Sequence, residues 1–190
     1  MATQVFYEKG YDAASLQDIA DRLGMLKGSL YYYIKSKDDL LYAVISEVHR
    51  AGLANIESLA AAEGNALRRL RGVIIGHIEH ECRHLTGTAV FLHELQALAD
   101  ERQEEIIGGE HAYRGVFRHL IEDGQREGLI RAAVDPKLAA LSILGSTNWV
   151  YRWFQPDGEF SARQIGEQFA DMIIRGLAAA GVAGTAASGR

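Results

Sequence analysis

Only two prolines occur in this chain of 190 residues, at positions 136 and 156. Proline removes a backbone donor and clashes with the preceding helical turn, so where it is missing helices are free to run. Alanine and leucine, both strong helix formers, are abundant. An all-α protein is therefore expected, punctuated by glycine rather than proline. Apolar residues make up 48% of the chain, enough for a sizeable core, and the length suits one large or two small domains. The formal net charge of −5 argues against indiscriminate attraction of the whole molecule to nucleic acid or anionic membrane, so any anion binding must be local. The one cysteine, Cys82, excludes an intrachain disulfide and fits a reducing compartment. No apolar run reaches the roughly 18 residues of a membrane span, and the first residues lack the charged-then-apolar pattern of a secretion signal. A cytoplasmic protein with no membrane partner is expected.

The first segment, MATQVFYEKG, reads as a short helix stopped by Gly10. Ser15 with Asp18 forms an acidic variant of the capping box, and Leu16, Ile19, Ala20 and Leu23 follow as one buried stripe. Gly24 allows a tight turn. LKGSLYYYI predicts a second short helix, with Leu30 and Ile34 toward the core and Leu26 one turn earlier. Ser36 then caps a long helix, with Asp39 three residues on. Two short helices joined around a glycine and followed by a long one make a helix-turn-helix arrangement. Beyond it, residues 65 to 84 are amphipathic, and helical periodicity continues to Gly128 with a break at Gly108 and Gly109. Asp135 with Pro136 at N1 opens a further helix, and the Ser161/Gln164 capping box opens the last. The spacing predicts domains over residues 1–46 and 47–180, divided within the long helix, with residues 181–190 a disordered tail.

Residues 23 to 41, LGMLKGSLYYYIKSKDDLL, carry a local cationic and aromatic patch. No acid lies between Arg22 and Asp38, and three tyrosines run together beside Lys27, Lys35 and Lys37. On a helix, Lys27, Gly28, Tyr31 and Tyr32 point outward. Lysine supplies charge for phosphates or guanine edges, while serine and tyrosine hydroxyls suit phosphate oxygens. Gly28 costs about 1 kcal/mol relative to alanine in a helix, and its missing side chain permits close approach by another surface. The patch thus fits a DNA-reading helix. Tyrosines partly in the core beside a solvated lysine face are the bland alternative.

The run YEKGYDAASLQDIADRLGMLKGSLYYYIKSKDDLLYAVI, residues 7 to 45, resembles the TetR/AcrR family of transcriptional regulators. The resemblance implies a helix-turn-helix DNA-binding domain followed by a larger helical ligand-binding and dimerisation domain. It implies backbone-phosphate contacts from Ser15 and Gln17, and recognition-helix contacts from Lys27, Gly28 and Ser29. Tyr31, Tyr32 and Tyr33 correspond to aromatic positions at phosphates and base edges, with Tyr33 the most buried, and Lys37 to a lysine gripping phosphate. Leu26 departs from the family's usual small polar residue, and the first helix is shorter than usual. Five Lys/Arg (9, 22, 27, 35, 37) face six Asp/Glu (8, 12, 18, 21, 38, 39) over residues 1–45. The partners implied are double-stranded operator DNA, a second copy of the chain and a small-molecule effector, with release from DNA by the effector as the usual mode.

Residues 145 to 177 resemble, more loosely, the corresponding segment of TetR-type repressors of fatty-acid and steroid breakdown, so an acyl-CoA thioester is a candidate effector. Glu94, Phe117, Asn148, Trp149 and Arg152 are the candidate effector residues. The tryptophans Trp149 and Trp153 would wall an apolar chain, and Arg152 would pair a phosphate or carboxylate. Packing of Trp149 in the core and an internal Arg152–Glu94 pair are the alternatives. Leu141, Leu144, Ile165, Phe169, Met172 and Ile173 are candidate dimer-interface residues. His77, His80 and His84 share one helix face, which makes them weak metal candidates. A metal-responsive regulator and a helical adaptor without DNA binding are the alternative functions. No P-loop, G-x-S-x-G, H-E-x-x-H or dinucleotide fingerprint is present, so no enzyme activity and no cofactor are expected.

Overall fold

The computed structural model describes residues 1–180; the expected tail, 181–190, lies outside the described residues. The helices are α1 Ala2–Lys9, α2 Leu16–Leu23, α3 Lys27–Leu30, α4 Lys37–Ala60, α5 Ala66–Arg83, α6 Leu85–Glu94, α7 Asp100–Arg126, α8 Pro136–Asn148 and α9 Ala162–Leu177. Short 3-10 turns cover Leu95–Ala97 and Trp149–Arg152. No strand occurs among the described residues, and the all-α expectation holds.

Local chemistry sets the boundaries. The Ser15 hydroxyl accepts from the Asp18 amide at 3.1 Å while Asp18 accepts from the Ser15 amide at 2.9 Å, which completes a capping box at α2. Ser161 and Gln164 do the same at α9, at 3.3 and 2.9 Å. Asp135 caps α8 through the Leu138 amide at 2.8 Å, with Pro136 in the first turn. Gly24 ends α2 in the left-handed region at φ 66°.

Three local expectations are corrected. α7 is continuous through Gly108 and Gly109. A Cβ at Gly109 would sit 2.5 Å from the His49 ring, so this glycine serves close approach of α4 and not a break. α3 ends at Leu30, and Tyr31 to Tyr33 form the turn that follows. Leu26 caps α3 and is 80% exposed, and Leu23 is also exposed, so neither belongs to the core.

The chain forms two compact units, Met1–Ala51 with His84–Glu110, and residues 52–83 with those from His111 onward. A division at 46/47 assigned residues 84–110 to the second domain. Instead, Val90, Leu98 and Ile106 join Val5, Phe6, Ile19, Leu30, Leu41 and Ile45 in the core of the first unit. There α1 packs on α6 and α2 on α3. In the second unit α5 is the central helix, packed chiefly on α9. A Cβ at Gly166 would lie 3.1 Å from the Ile75 backbone, so this glycine lets α9 press directly on α5. Leu70, Val73, Ile74, Ile78, Phe117 and Ile121 are fully buried around them.

Candidate nucleic-acid interface and effector core

The candidate DNA-reading face is built on a buried anchor. Leu30 is buried in the first unit's core and fixes α3. The Tyr33 and Ile34 amides both donate to the Leu30 carbonyl, at 3.0 and 3.2 Å, so the tyrosine turn stays wound onto the helix. That leaves Tyr31 51%, Tyr32 89% and Tyr33 78% exposed. Tyr33, expected to be the most buried of the three, is displaced from the inner face because it follows α3 rather than continuing it. Three adjoining rings standing in water form an exposed apolar surface of the kind that marks a binding face. Lys27, Gly28 and Gln17 are exposed too, and the Gln17 amide holds Asp21 at 2.7 Å.

The surplus of acids around this face is largely neutralised from within. Arg22 holds Glu8 at 2.6 Å, and Lys9 holds Asp18 at 2.6 Å. Arg102 pairs with both Asp38 and Asp39 and lies over the Tyr42 ring, 5.0 Å from its centroid. The Lys9 ammonium, with the Ser15 cap, keeps the Asp18 carboxyl down at about 2, and the Arg102 hydrogen bond lowers Asp39. Lys27 and Lys35 make no ion pair among the described residues, and neither do Asp12 and Asp21, so the unpaired cations fall within the acid-free run 23–37 and the unpaired acids outside it.

Lys37 is turned toward its own unit. Its ammonium donates to the carbonyls of Tyr11 at 2.7 Å, Asp12 at 3.3 Å and Ala14 at 2.9 Å, and sits 4.2 Å over the Tyr11 ring. Its hydrogen-bonding capacity is filled by the α1–α2 turn, which it ties to the start of α4. Ser15 is likewise occupied as a cap, although exposed.

In the second unit the structure gathers some of the candidate effector residues around His77, a weak metal candidate by sequence. His77 is buried on α5. Its Nε2 lies 3.0 Å from the Asn148 side-chain oxygen and its Nδ1 2.7 Å from the Tyr113 hydroxyl. The Nε2–H donates to Asn148, which leaves Nδ1 to accept from Tyr113. Phe117 presents its ring edge-on to the imidazole at 5.9 Å, and Tyr113 does so at 5.7 Å. Burial pushes His77 down to about 4, against the smaller opposing effect of Asn148. Both ring nitrogens are engaged, His80 is buried near Gly52, and His84 is exposed at the start of α6. No group of three or more metal-ligating side chains occurs among the described residues. Burial also raises the Cys82 thiol to about 12, so it is no nucleophile at neutral pH.

The other candidates separate. Trp149 is 60% exposed rather than packed in the core, and Arg152 is exposed on the same 3-10 turn with no ion pair among the described residues. Glu94 belongs to the first unit, with a carboxylate oxygen 3.6 Å from where a Gly10 Cβ would stand. Of the candidate interface residues, Leu144 and Ile165 face the core of their own unit, and Phe169 and Ile173 pack partly against it. Leu141 and Met172 stand out, together with Leu138, because the stripe that packs on α5 leaves them on the opposite side of α8 and α9. Tyr113 was missed by sequence reasoning. Its i, i+4 spacing to Phe117 was the available signal.

Residues 1–44 match the family of bacterial regulatory proteins described as tetR family, and residues 63–177 match the tetracyclin repressor-like C-terminal domain. The chain is 28% identical over 184 residues to the HTH-type transcriptional repressor KstR2 of Mycobacterium tuberculosis, covering 96% of this chain and 92% of that protein. It is 24% identical over 180 residues to the fatty acid metabolism regulator protein of Bacillus subtilis, covering 93% and 91%. Its structure is similar to that of AibR in complex with isovaleryl coenzyme A and operator DNA, with a TM-score of 0.80, 30% identity and 93% of each chain covered. No helix among the described residues is long and apolar enough to cross a membrane. With a helix-turn-helix unit that matches at one end and a helical C-terminal domain that matches over most of the remainder, the chain belongs to the TetR family of bacterial transcriptional regulators.

Proposed function

We propose that this chain is a repressor that binds a palindromic operator as a homodimer and is released by a small-molecule effector, an acyl thioester of coenzyme A. The observation that carries the DNA-binding half is the outward Lys27 and tyrosine surface held on a buried Leu30. No carboxylate lies within residues 23–37, and four of the six neighbouring ones are held by Arg22, Lys9 and Arg102. Lys27, Gly28 and Ser29 read bases from α3, and Tyr31, Tyr32 and Tyr33 lie against the strand backbone and base edges. In a two-fold dimer, two such faces enter successive major grooves about 34–36 Å apart. The exposed Leu138, Leu141 and Met172 on α8 and α9 supply apolar surface for the dimer.

An acyl thioester is favoured by the likeness to AibR, solved in complex with isovaleryl coenzyme A and operator DNA. Within the chain, the His77–Tyr113–Asn148 group supports it as well. The donor it leaves for the carbonyl of an otherwise apolar ligand is the Asn148 side-chain amide, since both His77 nitrogens and the Asn148 oxygen are already engaged. An effector that prefers a different arrangement of the protein lowers operator affinity by linkage. The test is fluorescence anisotropy with DNA from upstream of the protein's own gene, titrated with salt and then with acyl-CoA thioesters and the matching free acids. Specific, salt-sensitive binding released by a thioester and not by its free acid supports the reading; specific binding that no thioester relieves removes the effector assignment. Absence of specific binding removes the repressor.

A further inference from the structure

α7 and α8 carry two stripes that line a cleft of about 340 Å³ in the second unit. His111, Arg114, Gly115 and Arg118 recur at i, i+3, i+4 and i+7 on α7, and Lys137, Ala140 and Leu141 at i, i+3 and i+4 on α8. The volume falls within the range of small-molecule sites. Three permanent cations and one histidine line the cleft and no carboxylate does, on a chain whose net charge is −5. Arg118 is steered by Glu122 at 3.1 Å, one turn along the helix. Lys137 makes no ion pair among the described residues and stands in the first turn of α8, where the helix dipole disfavours a cation. At Gly115 a Cβ would meet only the His119 ring at 3.9 Å, so the centre of the cationic wall is open. The facing α8 wall, Ala140 and Leu141, is apolar, and Leu141 is the lining residue that the cleft shares with the proposed dimer face.

We infer that the α7–α8 cleft binds the diphosphate-bearing end of the coenzyme A thioester, an inference that rests on the effector reading above. Arg114 and Arg118 present planar forks matched to phosphate oxygens, and Lys137 adds a point charge from the opposite wall. The apolar side of the cleft accommodates the uncharged part that follows. The anionic end thus has a separate anchor from the buried His77 group, and it is the anchor free coenzyme A would use without any acyl chain.

The test is isothermal titration calorimetry of the full chain with free coenzyme A and, separately, with inorganic pyrophosphate. Wild type is compared with Arg118→Ala, Lys137→Ala and the double variant. Coenzyme A binds wild type, pyrophosphate competes with it, and the double variant weakens coenzyme A by about tenfold or more, with the single variants between. Melting temperature, oligomeric state and operator affinity stay as in wild type. Unchanged coenzyme A affinity in the double variant overturns the assignment, as does failure of wild type to bind coenzyme A. Binding of pyrophosphate without competition by coenzyme A makes this a free-phosphate site and overturns it too. Loss of operator affinity in the double variant would give these cations to DNA, and a changed oligomeric state would give the cleft to a subunit interface; either result ends the proposal. Coenzyme A bound through the cleft while no thioester releases DNA leaves the cleft standing and removes the effector reading alone.

Discussion

Lys27 and Lys37 are ten positions apart, carry the same charge, and do different work. Lys27 is exposed and unpaired among the described residues, whereas Lys37 is spent on three backbone carbonyls. Lys27→Ala and Tyr32→Ala should each weaken operator binding by about 1–3 kcal/mol with the melting temperature unchanged. If Lys27 meets a phosphate, its loss also reduces the salt slope by about one. Lys37→Ala should lower the melting temperature, since hydrogen bonds from a charged donor contribute about 1.5–3 kcal/mol each when well formed, and should leave the salt slope intact. Anisotropy over a salt series together with thermal melts separates the two. His77 supplies a second contrast. Its folded-state pKa is depressed to about 4 from an ordinary value of 6.5, so the unfolded chain takes up the proton first. Stability is therefore fully present above the ordinary value and is lost as pH falls through the window down to about 4, by on the order of 3 kcal/mol. Burial lowers His49 also, which adds a slope of the same sign. His77→Gln preserves a donor and an acceptor for Asn148 and Tyr113 but cannot titrate. Its melting temperature should fall less steeply than wild type's between pH 6.5 and pH 4.

At the level of elements, the α5–α9 contact depends on the side chain that Gly166 lacks. Gly166→Val should destabilise the protein by about 1–3 kcal/mol through overpacking against the Ile75 backbone, as measured by denaturant midpoint with the slope unchanged. Helix starts were readable in the sequence because caps are local chemistry. Ser15, Asp135 and Ser161 each announce a helix within four residues. The continuity of α7 was not readable, because what excuses Gly109 is His49, sixty positions away in sequence. The same limit applied to the candidate sites. The reading face was legible because its residues are consecutive, although helical periodicity carried too far misplaced Tyr33. The His77 group was not, because Tyr113 and Asn148 come to it from α7 and from the end of α8. A histidine stripe seen alone suggests metal; only the fold shows that both ring nitrogens are taken.

For the whole molecule, charge is the property most easily misread. The net value of −5 is an average over internally paired acids and outward cations, so it sets solubility and not the affinity of any one face. Assembly is set by exposed apolar side chains in the same way. Leu141→Asp with Met172→Asp should convert a dimer to a monomer by analytical ultracentrifugation, without loss of helicity, because both residues face solvent in the single chain. Operator affinity should fall with it, since a monomer engages a single half-site. A dimer that persists in the double variant would move the interface elsewhere. The first unit, finally, is assembled from two stretches of sequence separated by more than thirty residues, and α4 and α7 each cross its edge without a linker. A gene fragment encoding only Met1–Ala51 would therefore lack Val90, Leu98 and Ile106 and leave the inner side of α1 and α4 wet. A crossover after Ala51 would set the two halves of one core from different parents against each other. The core positions on the two stretches have to match each other for the reading helix to keep its footing.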